Sequence, residues 1–66
     1  MNKTYGNRFA TQEQQADGTW IVFNEVTGLP VGECVGDGER KIKIFPDYQS
    51  ARSEVDFMYQ YYHRLE

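Results

Sequence analysis

Three glycine-bearing turn signals divide this chain more firmly than any other feature. They are Asp17-Gly18, Thr27-Gly28 and the Gly36-Asp37-Gly38 stretch. Glycine takes up positive φ without steric cost, so each marks a place where a strand can reverse. The runs between them are too short for the crossover of a dozen or more residues that parallel pairing demands. The spacing therefore predicts an antiparallel meander of three to four strands. "TWIVFNE", residues 19 to 25, is the clearest strand, rich in β-branched and aromatic side chains. The others are expected over about 8 to 15, 29 to 35 and 40 to 45. In "RKIKIF" Ile42 and Ile44 alternate with Lys41 and Lys43, which predicts the isoleucines inward.

After Pro46 the pattern changes period. Asp47 is suited to an N-cap, and a helix over about 47 to 64 puts Tyr48, Ala51, Val55, Met58, Tyr59, Tyr62 and Leu65 on one face. Phe57 and Tyr61 form a second apolar stripe beside it, wider than one sheet face needs. The predicted fold is one α+β domain spanning 1 to 66, with a C-terminal helix packed on one face of the sheet. Trp20 and Val22 are expected to face that helix. Ile21 and Phe23 then point to the other side, partly exposed or covered by a partner.

A chain of 66 residues buries only about 60% of its unfolded surface, which leaves little room for a deep substrate cavity. Its ten aromatic residues enlarge the core that so short a chain can build. Cys34 is the sole cysteine, so no internal disulfide and no cysteine-based zinc cage can form, and on a strand it reads as a small buried hydrophobe. "MNKTYGNRFATQ" lacks the apolar run of a secretory signal, and no stretch approaches the length needed to cross a bilayer. These features predict a cytoplasmic protein without membrane association.

The net charge of −3 is unevenly spread. Residues 13 to 39 hold Glu13, Asp17, Glu25, Glu33, Asp37 and Glu39 with no lysine or arginine, while Arg40, Lys41 and Lys43 follow at once. "GECVGDG" has glycines but no Lys-Ser/Thr ending, and its acids repel phosphate. The ligand pattern of an EF-hand is also missing. His63 falls in the last helical turn, where a cation complements the helix dipole. No catalytic residue, cofactor or metal site is predicted.

Asp17, Gly18, Thr19, Trp20, Val22, Thr27, Gly28 and Pro30 together form a "DGTW…V…TGxP" pattern. It resembles one found in short bacterial and prophage-type proteins, where a tryptophan-bearing strand turns through Thr-Gly into a second strand and a helix follows. The resemblance covers about residues 17 to 64. Size, acidity and the sheet-plus-helix plan also resemble the small anti-CRISPR proteins of phages, some of which imitate DNA to occupy the basic site that reads the target duplex. That likeness implies an inhibitor acting in a bacterial host cell, and no individual residue role comes with it.

The functional expectation is accordingly a non-enzymatic, acidic protein-binding module that occludes a basic nucleic-acid-binding surface, such as that of a CRISPR effector. Its candidate contacts are Glu33, Asp37 and Glu39 near the third turn, Glu54 and Asp56 on the helix, and Ile21, Phe23, Phe57 and Tyr61 as apolar anchors. The alternatives are a small nucleic-acid-binding module using Arg40, Lys41 and Lys43, and a structural protein that buries its second apolar face against a copy of itself as a homodimer.

Overall fold

The computed structural model describes the backbone of residues 2–65 and the side chains of residues 5–65. Six strands precede one helix: β1 (Asn2–Gly6), β2 (Ala10–Gln14), β3 (Trp20–Asn24), β4 (Leu29–Pro30), β5 (Gly32–Val35), β6 (Glu39–Ile42) and α1 (Tyr48–Leu65). The first four make an antiparallel sheet in the order β1-β2-β3-β4, and β5 and β6 form a separate hairpin. The α+β class and the antiparallel meander stand as expected.

Local chemistry accounts for the turns. Between β2 and β3 the Gly18 amide donates to Gln15 O (3.0 Å) and the Gln15 amide to Thr19 O (2.7 Å), with Gly18 at φ 90°. This is a three-residue hairpin loop closed by a left-handed glycine, one residue longer than the shortest turn that Asp-Gly can make. Between β3 and β4 the Asn24 carboxamide oxygen accepts from the amides of Val26 (2.8 Å) and Thr27 (3.2 Å), and Gly28 closes the loop at φ 77°. Asn24 also donates to the Tyr62 hydroxyl at 3.0 Å, which fixes this turn to the helix.

The core lies between α1 and the sheet. Ala10, Trp20, Val22 and Phe45 meet Ala51, Val55 and Met58, with Tyr5, Val31, Tyr48 and Tyr62 packed around them. Trp20 stands edge-on to Tyr48, ring centroids 5.4 Å apart. Trp20 and Val22 thus face inward, as their alternation predicts. Phe9, just before β2, is buried and packs on Tyr62 (5.4 Å) and Tyr59 (5.8 Å). The start of β2 therefore covers that part of the helix and leaves the Phe57–Tyr61 stripe open.

Several expectations are corrected. The strand foreseen at 29 to 35 divides at Val31, whose amide bonds Val22 O (2.7 Å) while its carbonyl accepts from Lys43 (3.0 Å), so β5 leaves the main sheet as its own hairpin. The strand foreseen at 40 to 45 ends at Ile42, and its facing is reversed. Phe45 pairs with Trp20 and is buried, so alternation turns Lys43 to the same side and sends Ile42 and Ile44 outward, where they are 49% and 54% exposed. Lys43 sets its ammonium 5.3 Å over the Phe45 ring.

Ile21 is only 8% exposed within the chain itself, against the expectation of a residue partly exposed or covered by a partner. It lies mid-way along the central strand β3, opposite Glu13 on β2, and the Trp20–Phe45 pairing sets Ile44 on its other side. Cys34, expected to be buried, is exposed on the β5–β6 hairpin across from Arg40. On the helix, Tyr59 and Leu65 are exposed although they belong to the predicted inner stripe: Tyr59 is covered on one side by Phe9, and Leu65 is the last residue of α1. β1 has no signal in the sequence: NKTYG has no apolar alternation, and its pairing with β2 carries it.

Candidate binding surface

Two depressions meet along the Leu29–Pro30 rim. The larger, about 410 Å³, runs between β4 and the outer side of α1 and is bordered by Leu29, Pro30, Phe57, Tyr61, Glu54 and Arg40. A shallower one, about 280 Å³, continues onto the hairpin past Gly32 and Lys41 to Ile42. Leu29 (64% exposed) borders both, Phe57 (65%) and Tyr61 (53%) form the open apolar side of the larger, and Ile42 that of the shallower. Phe57 and Tyr61 lie nearly parallel, 6.5 Å apart at 20°, because an i, i+4 spacing stacks side chains along one helix face. Large exposed apolar side chains gathered at one place mark an interaction surface more than they mark a monomer's finished exterior.

The structure distributes the candidate contacts unequally. Glu54, Phe57 and Tyr61 come together on the groove. Phe23 is half-buried and paired with Pro30, and it does not line the groove. Ile21 is inside the sheet and offers no contact. Asp56 is committed to the fold: it accepts a hydrogen bond from the Tyr5 hydroxyl at 2.7 Å, and Arg52 Nε lies 3.8 Å from its other oxygen.

The acids of residues 13 to 39 do not form one surface. Glu13 is buried, Asp17 is used by its own turn, and Glu25 accepts from Thr11 Oγ1 at 2.6 Å. Glu33 stands directly across the hairpin from Lys41. Asp37 and Glu39 remain, both exposed at the hairpin end, with Asp37 presented between Gly36 (φ 51°) and Gly38 (φ 86°). Of the adjoining bases, Arg40 extends over Gly32, where an added Cβ would meet its guanidinium at 3.3 Å, and Lys43 lies over Phe45, while Lys41 is exposed across the hairpin from Glu33.

Asp17 and Asp47 both hold their carboxyls below the usual aspartate range. For Asp17 the chief cause is the Thr19 hydroxyl, with the Thr19 amide second. For Asp47 it is the Ser50 backbone amide at 2.8 Å, the N-cap bond of α1. Tyr5 is shifted upward, first by its hydrogen bond to Asp56. All three perturbations belong to turns, caps and element ties.

Comparison with protein-family models, with curated proteins and with solved structures yields no match to the chain. The residues of the DGTW…TGxP pattern nonetheless have visible tasks here. Asp17, Gly18, Thr27 and Gly28 shape turns, Thr19 caps one, Trp20 and Val22 fill the core, and Pro30 pairs at the end of β3. Among the described residues no helix is long and apolar enough to cross a membrane, and no three of His, Cys, Asp and Glu gather at metal-binding distance.

Leu29 and Ile42 are the surface residues that sequence reasoning missed. For Ile42 the signal is Phe45, which as the buried member of its strand sends Ile42 outward by parity; no such signal marks Leu29.

Proposed function

We propose that this protein is a non-enzymatic binding module that sets the acidic end of its β5–β6 hairpin against a basic, nucleic-acid-reading surface of a larger protein and so blocks access to it. An inhibitor of a bacterial CRISPR effector is the concrete form. One observation carries the reading: Asp37 and Glu39 stand exposed at the hairpin end, while Arg40 and Lys43 fold back over Gly32 and Phe45. Carboxylates displayed in this way occupy the place of phosphates, and their attraction to a basic cleft speeds encounter. Leu29 and Ile42, exposed at the base of the hairpin away from its turn, add apolar contacts, which supply affinity once the surfaces meet. The overall net charge of −3 favours the same class of partner.

The test is competition. Purified CRISPR effector complexes of several types are loaded with labelled target duplex and challenged with the protein. Release of duplex from at least one of them, with no retardation of free single- or double-stranded oligonucleotide by the protein alone at low salt, is the expected result. Retardation of the free oligonucleotides would instead assign Arg40, Lys41 and Lys43 to direct nucleic-acid contact. Retention of the duplex by every effector overturns the inhibitor form of the reading.

A further inference from the structure

The outer side of α1 carries a sequence that is complementary to itself when reversed. Glu54, Phe57, Tyr61 and Arg64 are spaced three, four and three residues apart, the spacing of a coiled-coil seam, and at 100° per residue they fall within an arc of about 80°. Read in the opposite direction, acid, ring, ring and base become base, ring, ring and acid. Two such helices laid antiparallel about a two-fold axis near residue 59 bring Glu54 to the partner's Arg64 and Phe57 to the partner's Tyr61. Symmetry then repeats each contact.

We propose that the protein pairs with a second copy of itself through this seam. Charge complementarity singles out that occupant, since each end of the stripe carries the charge that the other end requires. Neither Glu54 nor Arg64 has an ion-pair partner among the described residues, although Arg40 borders the groove on which Glu54 lies. Both rings are more than half exposed, and their near-parallel stacking gives a flat slab for the opposing pair. Leu65, also exposed, extends the apolar strip by one more turn. The contact is small, below the size of standard stable interfaces, so the dimer is weak and concentration-dependent. The pairing goes beyond the binding reading above and stands without it, because no residue of the β5–β6 hairpin belongs to the seam.

Sedimentation equilibrium over a wide concentration range tests it with a charge swap. The parent is expected to pass from monomer to dimer as concentration rises. Glu54→Arg or Arg64→Glu alone places like charges at both symmetry-related ends and should weaken association about tenfold. The double variant Glu54→Arg/Arg64→Glu restores opposite charges and should recover association. Phe57→Ala should abolish it. Dilution of the labelled parent, followed by amide chemical shifts, provides a reading that needs no variant: changes should concentrate on residues 54 to 65. A parent that stays monomeric throughout, a double variant no better than the singles, or dilution shifts centred on the hairpin would each overturn the proposal.

Discussion

The Tyr5 hydroxyl donates a 2.7 Å hydrogen bond to Asp56 Oδ1, joining β1 to the helix across 51 positions of sequence. Arg52 completes the arrangement, its guanidinium carbon 4.6 Å above the Tyr5 ring and its Nε 3.8 Å from Asp56 Oδ2. A carboxylate so engaged holds an edge strand that has little apolar content of its own. Tyr5→Phe should therefore lower the urea midpoint, followed through Trp20 fluorescence, with an unchanged slope, and leave any partner competition as it was. An unchanged midpoint would show that the β1–β2 pairing suffices without this tie.

Acid should weaken the fold through Asp17 and Asp47. Their carboxyls titrate lower in the native state than the ordinary 3.8, so the native state favours the ionised form. Their contribution is complete above about pH 4 and drains away as the pH falls through the lowered native values. Tyr5 has the opposite sign: its native value lies above the ordinary 10.0, so its contribution is complete below that pH and is lost as the pH rises through the native value. Denaturant midpoints measured across pH should thus decline at both extremes. Asp47→Ala should flatten the acid limb and Tyr5→Phe the alkaline one.

Adjacent helix positions should respond in opposite ways. Met58 is buried against the sheet, and Met58→Ala should cost about 2 to 4 kcal/mol, much of the stability of a domain this small. Phe57 points outward, and Phe57→Ala should stay within about 0.5 kcal/mol of the parent. Thermal melts monitored by circular dichroism decide this. Equal losses at both positions would mean that Phe57 is covered in solution, as it is in the dimer, and the melts should then depend on protein concentration.

The turns, the central strand, the N-cap and the inner helix positions Ala51, Val55 and Met58 were legible because each depends on local chemistry or on a single period. What failed depended on partners far along the chain. The Ile42/Ile44 alternation is visible in the sequence but the side it faces is not, since the Trp20–Phe45 pairing sets the parity and no local signal announces it. Ile21 could not be placed without knowing that both edges of β3 are bonded. The base-free run of residues looked like a surface only while it remained linear. Folding buries Glu13, sets Lys41 opposite Glu33, and leaves Asp37 and Glu39 as the acidic end of one hairpin.

The hairpin end is where the functional account meets its most direct measurement. Asp37→Lys with Glu39→Lys changes two exposed side chains and should leave the urea midpoint nearly in place. Displacement of labelled duplex from a responsive effector by parent and variant, at low and at high salt, then reads the hairpin's contribution. The account predicts that the variant competes at least about tenfold less well at low salt and that the gap narrows as salt rises. A variant that competes as strongly as the parent, or a deficit equal at both salt concentrations, would contradict it.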